Sequence, residues 1–185
     1  MKKLLCIIII IVPLISCIIT PDRHEEPATP PETEESSFNA SYHYSLGVLF
    51  ALNGDFDEAA REYEKALRFD PKSHYLTIEL VKLYIKNGKI DKAIAPCEKA
   101  LIYNPDHLDI HLLLGGLYLK LKEYENAGRE FRKVLKLDPK NLESYLYLSA
   151  IYSENKEYEK AIGVLKDMLK SDPDNLMGNY YLAKT

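Results

Sequence analysis

Few residues in this chain have types and spacing that could do chemistry. His107 and His111 stand four apart, a spacing that places two imidazoles on one face of a helix, and Asp106 and Asp109 flank them with carboxylates. That is the composition of a divalent-metal site, but no cysteine and no complete third-ligand motif accompanies the pair. The chain has 3 cysteines, Cys6, Cys17 and Cys97, each a source of thiolate chemistry where its surroundings allow. The sequence contains no GxSxG, HExxH or Gly-rich phosphate loop, and Gly115-Gly116 is a lone pair better suited to close helix packing than to a phosphate. No catalytic residue, metal or cofactor is expected, and the chain is not read as an enzyme.

The elements that must carry these residues are set by an internal repeat. Starting from Leu114, Gly115, Tyr118, Ala127, Phe131 and Pro139, a step of 34 residues in either direction returns the same pattern. Leucine falls at Leu46, Leu80, Leu114, Leu148 and Leu182, and an aromatic at Phe50, Tyr84, Tyr118 and Tyr152. Alanine falls at Ala59, Ala93, Ala127 and Ala161, and proline at Pro71, Pro105, Pro139 and Pro173. This spacing resembles the tetratricopeptide repeat, a helix-turn-helix unit that stacks into a solenoid. The resemblance implies an all-α fold: a right-handed α-solenoid of four complete units, 40–73, 74–107, 108–141 and 142–175, and a partial fifth, 176–185. In that register His111 is equivalent to His43 and Tyr145, where the family packs an aromatic, so core packing accounts for it without a metal.

Each unit is expected to hold a helix A, a short turn, a helix B and an Asp-Pro or Asn-Pro link. In the first unit helix A is expected near residues 40–52 and helix B near 57–69. Gly54 and Gly88 supply the left-handed backbone that ends a helix, whereas Lys122 and Lys156 stand at the same register, so that conformation is a preference there. The alanines let helices A and B approach closely. Unit two departs: Thr77 and Val81 replace an aromatic and a small residue, and Pro96 lies past the first turn of the expected helix B, which predicts a kink. Cys97 occupies the register of Tyr63, Phe131 and Leu165, which reads as a buried packing thiol.

Ahead of the repeats, Met1-Lys2-Lys3 gives a positive start and residues 4–15 an almost unbroken apolar run, the pattern of a signal peptide. The run ends in Leu14-Ile15-Ser16-Cys17, which resembles the bacterial lipobox. That resemblance implies cleavage after Ser16, diacylglycerol on the Cys17 sulfur and acylation of the new amine, with Ile18 at the next position favouring the outer membrane. The apolar stretch over residues 4–19 is shorter than the ~20 residues a spanning helix needs. The expected organisation is a signal peptide at 1–16, a lipidated cysteine with a Pro- and Glu-rich disordered tether at 17–37, and the repeat array at 38–185. The expected location is the bacterial cell envelope, lipid-anchored at the outer membrane and facing the periplasm. Loss of Lys2 and Lys3 with the signal takes the formal charge from −4 to −6, which argues against a nucleic-acid partner. Cys6 would leave with the signal, Cys17 would be acylated, and Cys97 would remain as a free thiol.

A binding surface is the remaining candidate. By resemblance, the second, fifth, sixth, ninth, twelfth and thirteenth positions of helix A line the concave face of such an array. They include Tyr44, Tyr75, Lys82, Lys86, Leu113, Lys120, Tyr147, Tyr180 and Tyr181, with Ile78, Leu112, Leu119 and Leu146: an apolar and aromatic trough edged by lysines, shared by Asp109, Glu143 and Glu154. The family's carboxylate clamp needs Lys and Asn where this chain has Tyr44, Val48 and Glu79, so that specificity is not expected. The expected function is a membrane-anchored protein-protein interaction scaffold that binds a peptide or helix of a partner and assists assembly of an envelope complex, in the manner of a pilotin or an outer-membrane assembly adaptor. The alternative is the N-terminal regulatory region of a longer enzyme whose catalytic domain lies downstream. Self-association through the C-terminal helix is a further expectation, since residues 176–185 begin a helix A that either caps the array or belongs to a longer one.

Overall fold

The computed structural model describes residues 34–185. The expected signal peptide, Cys17 and the tether up to residue 33 lie outside the described residues. Within them, nine α-helices follow in order: α1 (Glu34–Asn53), α2 (Phe56–Phe69), α3 (His74–Lys86), α4 (Ile94–Tyr103), α5 (Leu108–Lys120), α6 (Tyr124–Leu137), α7 (Leu142–Glu154), α8 (Tyr158–Ser171) and α9 (Leu176–Lys184). A 3-10 turn, Ile90–Ala93, precedes α4. The described residues contain no strand, and each helix packs chiefly on its neighbours in sequence. The odd-numbered helices are the A helices and the even-numbered ones the B helices of an α-solenoid.

The sequence sets both ends of each hairpin. Every B helix stops at an Asp or Asn before Pro71, Pro105, Pro139 or Pro173, because proline disfavours helical backbone at the residue ahead of it. Two residues past each proline, a side chain caps the next A helix by accepting from the backbone N–H three residues on. Ser73 Oγ accepts from Leu76, His107 Nδ1 from Ile110, Asn141 Oδ1 from Ser144 and Asn175 Oδ1 from Gly178. Between A and B helices, Gly54 and Gly88 adopt φ of +87° and +72°. Lys122 and Lys156 take the same left-handed conformation, at φ 61°. The turn geometry is thus kept at all four positions and the residue type is what varies, with the two lysines bearing the steric cost of about 1 kcal/mol.

Close approach of each A–B pair rests on small residues. Ala59, Ala93, Ala127 and Ala161 are fully buried. A Cβ added at Gly115 would lie 2.9 Å from the Phe131 ring, and one at Gly47 would lie 2.4 Å from that of Tyr63. Leu80, Leu114 and Leu148 fill the core around them.

Two expectations are corrected by the fold. The boundary drawn at residue 37 is too late, because α1 begins at Glu34; Ser36 Oγ, donating to the Phe69 carbonyl at 2.6 Å, fastens that extra turn to the end of α2. Pro96 does not kink a helix. The α-helix of unit two starts at Ile94, after the 3-10 turn, so Pro96 falls in its first turn, where a backbone N–H has no intrahelical partner to lose. The consequence is a B helix of 10 residues where α2, α6 and α8 each have 14.

Candidate functional site

The buried polar groups form a network that recurs with the repeat. His111, 2% exposed, lies 2.7 Å from the Pro105 carbonyl through Nε2 and 2.6 Å from Glu130 Oε2 through Nδ1. A carbonyl oxygen only accepts, so Nε2 donates to it. The same pair recurs two units earlier, with His43 Nδ1 2.7 Å from Glu62 Oε2 and its ring stacked on Phe69. Burial works against ionisation of Glu62, but hydrogen bonds from Lys65 and His43 outweigh it and hold the carboxyl below its ordinary range. In unit four the equivalent Tyr145 donates to the Pro139 carbonyl, and in the fifth Asn179 donates to that of Pro173. His111 therefore bridges helices in the core. His107 is a helix cap with its ring against His74, and no group of three or more potential metal ligands occurs among the described residues.

A second periodic bond joins successive units. Tyr84 donates to Glu64 at 2.6 Å, Tyr118 to Glu98 at 3.1 Å, and Arg132 to the Tyr152 hydroxyl at 3.3 Å. Each tethers an A helix to the preceding B helix. Burial and the Glu98 carboxylate push the Tyr118 hydroxyl up to about 12, so it stays a donor at neutral pH. Cys97 is fully buried, and burial raises its thiol to about 12, which removes it from thiolate chemistry.

One open arrangement is a groove of about 650 Å³ across α3, α5 and α7. Its floor and walls are Ile78, Ile85, Leu112, Leu113, Leu119 and Tyr147. Asp109 and Glu143 stand at one edge, in the first turns of α5 and α7, and Lys120 at the other, in the last turn of α5. Tyr147 is held by stacking on Phe131, 4.7 Å between centroids, and by donating to Glu143 at 2.9 Å. Gly116 also lines the groove, and a Cβ there would meet nothing within 4 Å. The reading of Gly115-Gly116 as a packing pair thus holds for Gly115 alone; Gly116 leaves space that opens into the groove.

The expected contact residues divide accordingly. Leu113, Lys120 and Tyr147 come together in the groove. Tyr44 and Tyr75 are joined hydroxyl to hydroxyl at 2.7 Å outside it, Lys82 is paired with Glu79 at 2.9 Å, and Lys86 sits over the Phe56 ring, 4.8 Å from its centroid. Tyr180 and Tyr181 pack edge to face at 5.3 Å on α9, away from the groove. Ile85 was missed as a groove residue although Leu119, one period later, marks the same position. The carboxylate partners Glu62 and Glu130 were missed too; a 34-residue step along helix B, compared with the His43 and His111 register, exposes them.

An all-α solenoid with an apolar groove across its A helices has the architecture of a helical-repeat interaction scaffold. A tetratricopeptide repeat profile matches residues 50–95 and 119–182, and a second one matches residues 78–141. The chain belongs to the tetratricopeptide repeat family. No curated protein matches its sequence. Among solved structures, a MamA protein is 22% identical with a TM-score of 0.68 over 80% of this chain and 81% of that one. YrrB, a TPR protein with an unusual peptide-binding site, is 21% identical with a TM-score of 0.63 over 82% of this chain and 76% of its own. The first TPR of Spaghetti (RPAP3), bound to the HSP90 peptide SRMEEVD, is 25% identical with a TM-score of 0.56 over 65% and 95% of the two chains.

Proposed function

We propose that this protein is a lipid-anchored scaffold of the bacterial envelope that holds a peptide or helix of a partner protein in the groove across α3, α5 and α7, and performs no catalysis. The observation that carries the binding role is the groove itself: six apolar side chains left open to solvent between A helices, with carboxylates on one edge and a lysine on the other. Such an edge pattern suits a segment with apolar anchors and flanking charges of both signs. Peptide binding by two proteins of the same fold, YrrB and RPAP3, supports the reading. The anchor rests on the sequence Leu14-Ile15-Ser16-Cys17 after an apolar run, and the envelope role on the combination of that anchor with a repeat array. Periplasmic exposure at the outer membrane and service in assembling an envelope complex complete the proposal.

One experiment addresses both halves. Full-length protein is expressed with Cys17→Ala, with Leu113→Glu and Tyr147→Glu together, or unmodified, then followed by fatty-acid labelling, membrane fractionation and mass spectrometry of co-purified proteins. Cys17→Ala should lose label and membrane retention, and the double variant should keep both while losing partners. Labelled, membrane-retained Cys17→Ala would refute the anchor. An unchanged partner set on a folded double variant would refute the groove.

A further inference from the structure

We infer that unit two carries a second docking site, separate from the groove, for an acidic helical segment of a partner protein with an apolar stripe. The site is a pocket of about 740 Å³ between the B helices α2 and α4, floored by Thr77, Leu80 and Tyr84 of α3. It shares no residue with the groove across α3, α5 and α7. Thr77 and Pro96 border it, at the register where units one and three hold the larger His43–Glu62 and His111–Glu130 pairs.

The surface around this space departs from the repeat in a consistent direction. The register of Ile102 holds Arg68, Lys136 and Lys170 in the other units, where a cation suits an exposed helix C-terminus. Ile102 is 72% exposed and lines the pocket. Ala95 and Pro96 likewise stand where units one and three carry Arg61-Glu62 and Arg129-Glu130. At the Ile102 register the charge is absent from unit two alone, and an isoleucine stands in water in its place. That pattern marks a surface meant to be covered.

The rim identifies the occupant. Arg68, Lys92 and Lys99 line the pocket, and none forms an ion pair among the described residues. The one carboxylate in the lining, Glu64, already accepts from Tyr84. On a chain of net charge −4, a locally cationic pocket selects an anionic partner. The lining offers donors in excess of free acceptors, so an extended peptide would leave its N–H groups unpaired. A helix satisfies its own backbone and presents apolar residues on one face with acids beside them.

The probe is a fluorescein-labelled two-heptad peptide with leucine at the a and d positions and glutamate elsewhere, titrated by anisotropy into the full chain. The unmodified protein should bind it, Ile102→Lys and the charge reversal Lys99→Glu should each weaken it by about tenfold or more, and the same peptide with lysine for glutamate should not bind. The groove variant Leu113→Glu with Tyr147→Glu should bind the probe as the native protein does, which separates this site from the proposed groove. No binding up to millimolar peptide, equal binding of the lysine peptide, native affinity in Ile102→Lys, or loss of binding in the groove variant would each overturn the inference. Saturation by dodecanoate without any peptide binding would reassign the pocket to an anionic amphiphile, and a dimeric mass in light scattering that Ile102→Lys abolishes would reassign it to a second copy of the chain.

Discussion

At the scale of single residues, the array is tied together by hydrogen bonds that recur with the repeat and switch chemistry where the partner changes. His43 faces Glu62 and His111 faces Glu130; in unit two the same pair of positions holds Thr77 and Pro96, and in unit four Tyr145 and Val164. Where the carboxylate is lost, so is the imidazole, and Thr77 instead donates to its own helix at the Ser73 carbonyl. A buried histidine with no acid would leave a ring nitrogen unpaired at a cost of about 1 to 3 kcal/mol, which is why the two positions vary together. Glu62 gives a pH test with a defined sign. Its carboxyl is held below the ordinary 4.5, so its contribution to stability is present above that value and is lost as pH falls through the lowered one. Glu62→Gln should therefore lower the urea midpoint at neutral pH, and the gap to the native protein should close in acid. A gap that widens in acid would contradict this arrangement.

At the scale of the element, each hairpin is a small-residue crossing closed by a left-handed turn. Ala127 is fully buried where α5 and α6 cross, so Ala127→Leu has no room to be accommodated and should cost about 1 to 3 kcal/mol, read as a lowered Tm. An unchanged Tm would show that the crossing is looser than described. Helix existence, order and most boundaries were legible in the sequence, because the prolines and the small residues act locally and repeat. Pro96 was not: the rule that proline breaks a helix is sound, but the chain had the option of delaying the helix through a 3-10 turn, and only the packing of unit two decides between the two. The left-handed lysines were half legible, since register suggested the turn while residue type argued against it. Gly116 was misread beside Gly115 because a glycine reports a missing side chain and not what lies in the space, which is Phe131 for one and open groove for the other.

At the scale of the whole array, repeat-defining and groove-defining residues are different sets. The former fix the fold and are shared among units; the latter, Leu113, Gly116, Lys120 and Tyr147 among them, change from unit to unit. The lysine edge was only partly legible because Lys82 and Lys86 find partners within the chain, Glu79 and the Phe56 ring, that a register count does not reveal. The measurement that tests the central claim most directly uses Gly116→Leu in the full chain. The site has room for the side chain, and leucine is a better helix former than glycine by about 1 kcal/mol, so the variant should melt at or above the native temperature. The same side chain would fill the groove. Proteins co-purified from membranes with the unmodified chain should be lost from Gly116→Leu at undiminished stability; an identical partner set would contradict the account.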